Sequence, residues 1–215
     1  MIAVRKSPRA NQLPQGLYGI TSADFGMGHA ESAKLLLGLG AKVIQYRNKK
    51  ADTKAMIEEA SAIREMCRSM GAVFIVDDSV EVALAVDADG VHLGQSDMPV
   101  KEARGLMGGK IIGASVGSEQ EARRAIADGA DYLGAGPIFH SAHTKPESRA
   151  IGMDEAKRIL KIASIPAYAI GGLHPEHISA LKGHGAYGFA AISPILKPGD
   201  HHAAAELYLS EWRRG

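Results

Sequence analysis

Short continuous runs of apolar residues recur along the chain and alternate with segments whose apolar residues recur every three to four positions. Continuous apolar runs predict strands buried on both faces of a parallel sheet. They cover residues 17–21, 42–47, 73–77, 90–93, 111–115, 132–135, 167–170 and 188–192. The helix-periodic segments cover residues 29–39, 52–70, 79–86, 99–107, 118–128, 152–163, 175–183 and 201–213. Glycine follows several of these segments closely, as it does at helix C-termini.

Strands that alternate with helices predict an α/β fold with a parallel sheet and the helices outside it. Eight repeats favour a closed (β/α)8 TIM barrel. A doubly wound open sheet is the alternative, but it has more often five or six strands. No linker rich in Pro or Ser interrupts the pattern. We therefore expect a single catalytic domain at residues 15–215, preceded by a loose N-terminal extension at residues 1–14.

The composition narrows the class of protein. The 215 residues are 46% apolar, and 25 basic against 24 acidic residues leave a formal net charge of +1. This balance provides no electrostatic reason to bind nucleic acid or an anionic membrane. Cys67 is the single cysteine, so no intrachain disulfide forms. With neither a secretory signal nor an apolar span of about 18 residues, we predict a cytoplasmic protein. Whether it forms a homo-oligomer is left open.

Polar residues collect where the predicted strands end. In a parallel barrel, the carboxyl ends of the strands carry the active site. The residues at these ends are Gln45, Arg47, Lys49, Asp77, Asp78, His92, Asp97, Ser115, Ser141, Thr144, Lys145, Gly171, Gly172 and Ser193. Both signs of charge and two glycine-containing turns are thus expected at one rim.

The adjacent acids Asp77 and Asp78 repel each other, and Asp97 follows the next strand. A divalent cation would offset this repulsion. Mg²⁺ prefers one or two carboxylates, with water and substrate phosphate in its other positions. We therefore expect a Mg²⁺ site at Asp78 and Asp97. The simpler alternative is that the two adjacent acids cap the following helix.

Cationic side chains and glycine turns suggest two phosphate sites at the same rim. Arg47, Lys49 and Lys145 suit a polyphosphate. The backbone of Gly171-Gly172 and the turn after the eighth strand suit a second phosphate, which is the usual position in barrels. In the simpler alternatives the basic residues form a solvated turn and the glycines a tight turn. His92 favours a buried, hydrogen-bonded histidine over a metal ligand, since no second histidine has ligand spacing.

Several phrases, taken in order along the chain, resemble the thiamine phosphate synthase family, also called thiamine-phosphate pyrophosphorylase. They are QYRNK at 45–49, FIVDDSVEVALAVDADGVHLGQSDMP at 74–99, IIGASVGSEQEARRA at 111–125, GADYLGAGPIF at 129–139, TKP at 144–146, AIGGLHPEHI at 169–178 and GAYGFAAISPI at 185–195. The resemblance implies a barrel enzyme that joins hydroxymethylpyrimidine diphosphate to thiazole phosphate with Mg²⁺. Its products would be thiamine phosphate and pyrophosphate.

The resemblance also implies a role for each site residue. Arg47, Lys49, Lys145 and Ser115 would hold the leaving diphosphate, and Asp78 and Asp97 would bind Mg²⁺. Gln45 and His92 would lie near the pyrimidine, and Asp77 near the substrate. The thiazole phosphate would be held by Ser141, Thr144, Gly172, Ile192 and Ser193.

Three departures from the family pattern bear on the activity. Asp77 replaces the usual asparagine, and the strand-six loop at 141–145 is one residue longer than usual. Gly117 stands where the family often has histidine. A related thiazole tautomerase uses a histidine in that loop as its acid/base, so Gly117 argues against this alternative. A non-catalytic paralogue that binds thiazole phosphate or thiamine phosphate is the third alternative.

Overall fold

The fold was analysed in a computed structural model that describes residues 13–140, 149–197 and 199–215. Eight parallel strands pair in chain order, and the last pairs with the first, so the sheet closes into a barrel. The strands are β1 Gly16–Ile20, β2 Val43–Tyr46, β3 Val73–Asp77, β4 Gly90–Leu93, β5 Ile111–Val116, β6 Tyr132–Ala135, β7 Ala167–Ile170 and β8 Gly188–Ala190. The predicted TIM barrel is confirmed, and the open sheet is excluded.

Helices α1 to α7 connect successive strands, and α8 and α9 follow β8. In the described part of the chain they are α1 His29–Gly38, α2 Thr53–Ser69, α3 Val80–Ala85, α4 Val100–Met107, α5 Glu119–Asp128, α6 Gly152–Ile162, α7 Pro175–Gly183, α8 Ser193–Leu196 and α9 His201–Arg214. Each helix predicted from periodicity is present within one residue of its predicted bounds. Side-chain caps explain several starts: Asp52, Ser118 and Asp200 each accept a backbone N–H of the first turn. The one-turn helix α8 was not predicted, because four residues carry no helical period.

Alternate residues of each strand point into the barrel. Its interior holds the aromatic rings of Tyr18, Tyr132 and Tyr168 together with small aliphatic side chains. The other alternate residues pack against the helices and form the larger apolar cluster. The inward positions at the carboxyl ends of the strands are therefore the ones available to a ligand.

The opposite end of the barrel is closed by the chain that precedes β1. Leu13 is buried in the interior cluster. The hydroxyls of Tyr168 and Tyr187 donate to the carbonyls of Pro14 and Leu13. Residues 1–12 of the predicted extension lie outside the described residues, but its last two residues pack against the barrel.

Across the described ranges, every helix is too short or too polar to cross a lipid bilayer.

Candidate active site

A cavity of about 1070 Å³ opens at the carboxyl ends of the strands. It brings together ten of the predicted site residues. These are Gln45, Arg47, Lys49, Asp77, Asp78, His92, Ser115, Gly172, Ile192 and Ser193. They come from six strand ends that are far apart in the sequence, as expected for a barrel enzyme.

The two adjacent acids have different surroundings because β3 ends between them. Ile75 lies inside the barrel, so Asp77, two residues later, also points inward and is buried. Asp78 leaves the strand with φ +62°, a conformation that a non-glycine residue adopts infrequently, and it is half-buried. Its backbone N–H donates to the carbonyl of His92 on β4. The strand end thus directs one carboxyl into the barrel and the other to its rim.

Each acid has a cation from the loop after β2. Nε of Arg47 lies 3.3 Å from Oδ2 of Asp77, and Nζ of Lys49 lies 2.9 Å from Oδ2 of Asp78. In the ligand-free protein each pair offsets part of the charge of its acid. The Lys49–Asp78 pair is about one-third exposed on each side, so it contributes little to stability and exchanges partners readily.

Burial raises the pKa of Asp77 to about 7, and the charge of Asp78 adds to this effect. Arg47 and Lys49 act in the opposite direction, but they do not offset the loss of hydration. Asp97 also raises the pKa of Asp77, so its charge lies within range of the pair. Even with two cations nearby, the strand end carries a surplus of negative charge.

Helix α3 does not need these acids as caps. The side chain of Ser79 accepts the backbone N–H of Val82 and caps the helix. The simpler interpretation of Asp77 and Asp78 as a helix cap is therefore wrong.

Asp97 is the predicted metal ligand that the structure does not place on the cavity wall. Its Oδ2 accepts the backbone N–H of Gly94 at 2.7 Å, which turns this oxygen toward the loop after β4. The cavity is lined instead by its loop neighbours Gly94, Gln95 and Ser96. Among the residues that the structure describes, no group of three or more His, Cys, Asp or Glu side chains is arranged to hold a metal ion.

The loop that carries Arg47 and Lys49 is fixed from behind by Glu59 of α2. The Glu59 carboxylate accepts the Tyr46 hydroxyl at 2.6 Å and the Asn48 amide at 2.9 Å. The amide oxygen of Asn48 then accepts the N–H groups of Lys50 and Ala51. The basic segment is thus a loop anchored by hydrogen bonds, with Lys49 and Lys50 exposed at the rim. Glu59 is a residue that the sequence interpretation missed, because nothing in its local pattern separates it from the other acids of α2.

The far side of the cavity is formed by the turns after β7 and β8. Gly171 and Gly172 have φ +96° and +59°. A Cβ at Gly172 would lie 2.7 Å from Cβ of Phe139 and 2.8 Å from the carbonyl oxygen of His140. Only glycine fits there, because it lacks the colliding atom and adopts positive φ without strain. The turn therefore brings backbone close to the cavity, next to Ile192 and Ser193 at the start of α8.

His92 lies under the cavity floor and both of its ring nitrogens have partners. Nε2 lies 2.9 Å from Oγ of Ser115, and Nδ1 lies 3.0 Å from the hydroxyl of Tyr132. Burial lowers the pKa of His92 to about 4, with a smaller opposing effect of Asp78, so the imidazole is neutral. Among these residues, Tyr132 was not singled out from the sequence, where it is one more apolar residue of a buried strand.

Ser141, Thr144 and Lys145 lie outside the described residues. Where the described chain resumes, Arg149 lines the cavity and adds a cation to its wall. Glu121 lines it as well and accepts the backbone N–H of Gly117 at 2.7 Å. Neither residue had a sequence signal, because neither lies at the end of a strand.

The model of a single sequence family, described as thiamine monophosphate synthase, matches residues 17–195. This range includes all eight strands except the first residue of β1, and it includes the cavity wall. The chain belongs to the thiamine monophosphate synthase family. As a member of this family it is a transferase of thiamine biosynthesis.

Individual relatives agree with this membership. The chain is 45% identical over 202 residues to the thiamine-phosphate synthase of Caldivirga maquilingensis, covering 94% of this chain and 98% of that one. It is 46% identical over 192 residues to the enzyme of the same name from Chloroflexus aurantiacus, covering 88% of each. The solved structure of thiamine phosphate pyrophosphorylase from Pyrococcus furiosus superposes with a TM-score of 0.85 at 39% identity, over 93% of this chain and 96% of that one.

Proposed function

We propose that this chain is a thiamine phosphate synthase that condenses hydroxymethylpyrimidine diphosphate with thiazole phosphate, releasing pyrophosphate. One observation carries the proposal beyond family membership. Cationic side chains paired with carboxylates occupy one side of a single cavity, and a glycine turn beside a helix start occupies the other. The first side suits a metal-bound diphosphate, and the second suits a monophosphate. Two phosphorylated small molecules are the substrates that such a cavity selects.

The reaction that fits this arrangement is a dissociative displacement. The bond between the pyrimidine methylene carbon and the diphosphate oxygen breaks, and its electron pair leaves with the diphosphate. The thiazole nitrogen then donates its lone pair to the methylene carbon and forms the new C–N bond. No proton is transferred, so no general base is required. The protein has to stabilise the charge that develops on the diphosphate and hold both fragments in one cavity.

Arg47 and Lys49 would stabilise that charge. In the ligand-free protein, Nε of Arg47 lies 3.3 Å from Oδ2 of Asp77, and Nζ of Lys49 lies 2.9 Å from Oδ2 of Asp78. An incoming diphosphate would compete for both cations through charge-assisted hydrogen bonds, which are stronger than a half-exposed ion pair. Ser115 also lines the cavity and would add a hydroxyl to the diphosphate site. Lys145 is proposed as the third cation, on family analogy.

The donor set fits Mg²⁺. Asp78 and Asp97 offer carboxylate oxygens, which are the hard ligands that this ion prefers. Asp78 and Asp97 would hold the ion, and substrate phosphate and water would complete its shell. When bound, Mg²⁺ would neutralise part of the diphosphate charge. It would also offset the charges of Asp78 and Asp97, which add to the effect of burial in raising the pKa of Asp77.

The remaining roles follow the two sides of the cavity. Gln45 is buried and lines the floor, where a pyrimidine ring would rest. Gly172, Ile192 and Ser193 would present backbone groups to the thiazole phosphate. Ser141 and Thr144 are proposed to add side-chain hydroxyls to that phosphate. We also propose that the enzyme acts in the cytoplasm, where a single buried cysteine stays reduced.

A coupled pyrophosphate-release assay tests the proposal. We expect release only when both substrates and Mg²⁺ are present, and none in EDTA. Release from the diphosphate alone would indicate a hydrolase. The absence of release in any condition would contradict the synthase assignment and favour the tautomerase or the non-catalytic paralogue.

A further inference from the structure

A chain of buried hydrogen bonds runs from the barrel interior to the cavity. The hydroxyl of Tyr18 lies 2.7 Å from that of Tyr132. The Tyr132 hydroxyl lies 3.0 Å from Nδ1 of His92, and Nε2 of His92 lies 2.9 Å from Oγ of Ser115. Tyr18, Tyr132 and His92 are buried, and Ser115 lines the cavity. Four side chains from four different strands thus join in one line.

Two glycines hold the imidazole in this line. A Cβ at Gly113 would lie 2.5 Å from Nδ1 of His92 and 2.1 Å from Cζ of Tyr132. A Cβ at Gly134 would lie 3.1 Å from Cε1 of His92. The ring therefore occupies a slot that exists because β5 and β6 both have glycine at that level. Its two nitrogens cannot exchange partners without moving the strands.

The three hydrogen bonds of this chain can be donated in two consistent directions. Each hydroxyl has one proton, and the neutral imidazole has one N–H. In the first arrangement, every proton points toward the cavity: Tyr18 donates to Tyr132, Tyr132 donates to Nδ1 of His92, and Nε2–H donates to Ser115. In the second arrangement, every bond is reversed. Ser115 then donates inward, and the proton of Tyr18 is left at the buried end.

The buried end decides between the two arrangements. Within the described residues, Tyr132 is the only hydrogen-bond partner of the Tyr18 hydroxyl. In the reversed arrangement the Tyr18 proton has no acceptor in the barrel core, and an unsatisfied buried donor is costly. In the first arrangement every buried proton has an acceptor. The one proton left over belongs to Ser115 and points into the cavity.

We propose that Tyr132 is a positioning residue for Ser115: by donating to Nδ1 of His92 it fixes the Nε2–H tautomer, which leaves the Ser115 hydroxyl proton free to bind a phosphate oxygen of the substrate. The inference rests on the proposed function, since it assigns the phosphate as that of the leaving diphosphate. Through its tautomer, His92 transmits the effect of Tyr132 to the Ser115 hydroxyl. It acts neither as an acid nor as a base in the reaction. The bond from Ser115 strengthens as negative charge develops on the diphosphate, so its loss lowers kcat more than it raises KM.

Three hydroxyl deletions in the same aromatic layer test this direction. Tyr132→Phe removes the donor to His92 and should lower kcat about ten-fold, with KM for thiazole phosphate unchanged. Tyr18→Phe should have a much smaller effect, because Tyr132 keeps its acceptor in His92. Tyr168→Phe is the matched control: its hydroxyl donates to the carbonyl of Pro14, away from the chain. A loss of kcat in Tyr18→Phe as large as that in Tyr132→Phe would contradict this direction.

A double-mutant cycle separates positioning from a general structural defect. Because Tyr132 acts through Ser115, the Tyr132→Phe substitution should lower kcat less than two-fold in a Ser115→Ala background. A ten-fold loss that persists in that background would overturn the proposal.

The tautomer itself is measured without substrate or metal. Ring ¹⁵N spectra of the histidine-labelled protein, with the His92 signals assigned by loss in His92→Gln, should show a protonated Nε2 and an unprotonated Nδ1. Protonation at Nδ1 in the wild-type protein would overturn the proposal. This readout does not depend on turnover, so it still tests the positioning role if the protein releases no pyrophosphate. Conversely, synthase activity with the wrong tautomer would refute the positioning role and leave the proposed function intact.

Discussion

Replacement of Asp77 by asparagine should stabilise the metal-free protein at alkaline pH. The Asp77 side chain is buried, and burial together with the charge of Asp78 raises its pKa from 3.8 to about 7. This difference corresponds to roughly 4 kcal/mol of lost stability when the carboxyl is ionised in both states. This pKa already includes the attraction of Arg47, so the loss of that contact is not subtracted again. The expected gain in the free energy of unfolding is therefore about 4 kcal/mol.

The effect has a defined pH window. Well below the unfolded pKa of 3.8 the carboxyl is protonated in both the folded and the unfolded chain, so it does not affect stability. As the pH rises from 4 to 7, the unfolded chain ionises while the folded chain keeps its proton, so the wild-type protein loses stability relative to Asp77→Asn. Above pH 7 the difference stays at its maximum. We therefore expect the variant to be more stable by about 4 kcal/mol at pH 8 and by only about 1 kcal/mol at pH 4.5.

The assay is urea unfolding in EDTA at both pH values, with Asp154→Asn, an exposed acid of α6, as the matched control. Comparing variants at the same pH cancels the titration of all other groups. Mg²⁺ should reduce the gain of Asp77→Asn at pH 8, because a bound cation offsets the same charge. A difference between wild type and variant that is equal at pH 4.5 and pH 8, or that favours wild type at pH 8, would refute the argument.

Three further predictions concern the two sides of the cavity. Asp78→Asn should abolish Mg²⁺-dependent pyrophosphate release without unfolding the protein; turnover near the wild-type rate with an unchanged Mg²⁺ requirement would remove Asp78 as a metal ligand. Gly172→Ala should raise KM for thiazole phosphate more than ten-fold and destabilise the fold by about 2 kcal/mol, because the added Cβ collides with Phe139. Unchanged steady-state kinetics would contradict the close approach of this backbone to the phosphate. Glu59→Gln should raise KM for the diphosphate several-fold by loosening Asn48; its urea midpoint and KM for thiazole phosphate serve as controls, and an effect on both substrates alike would argue against a role confined to that loop.

Local patterns were sufficient to predict the secondary structure and the barrel. Strand and helix periodicities depend on neighbours within a few residues, which is why the helix bounds are accurate to one residue and only the one-turn α8 was missed. Site residues at strand ends were also predictable, since the carboxyl ends of parallel strands must meet at one rim. The types of residue found there, Arg47 and Lys49 beside Asp77 and Asp78, indicated phosphate and a cation by their chemistry.

Contacts between distant residues needed the tertiary structure. Tyr18 and Tyr132 are separated by 114 positions, and Tyr132 and His92 by 40, so no local pattern shows that they share a hydrogen-bond chain. The rise in the pKa of Asp77 depends on how deeply the closed barrel buries it. The sequence by itself determined the barrel and the chemistry of its rim, because both follow from local periodicity and residue type. Only the folded chain decided which side chains are buried, paired or aimed at the cavity, because burial and hydrogen-bond direction depend on neighbours that the sequence keeps far apart.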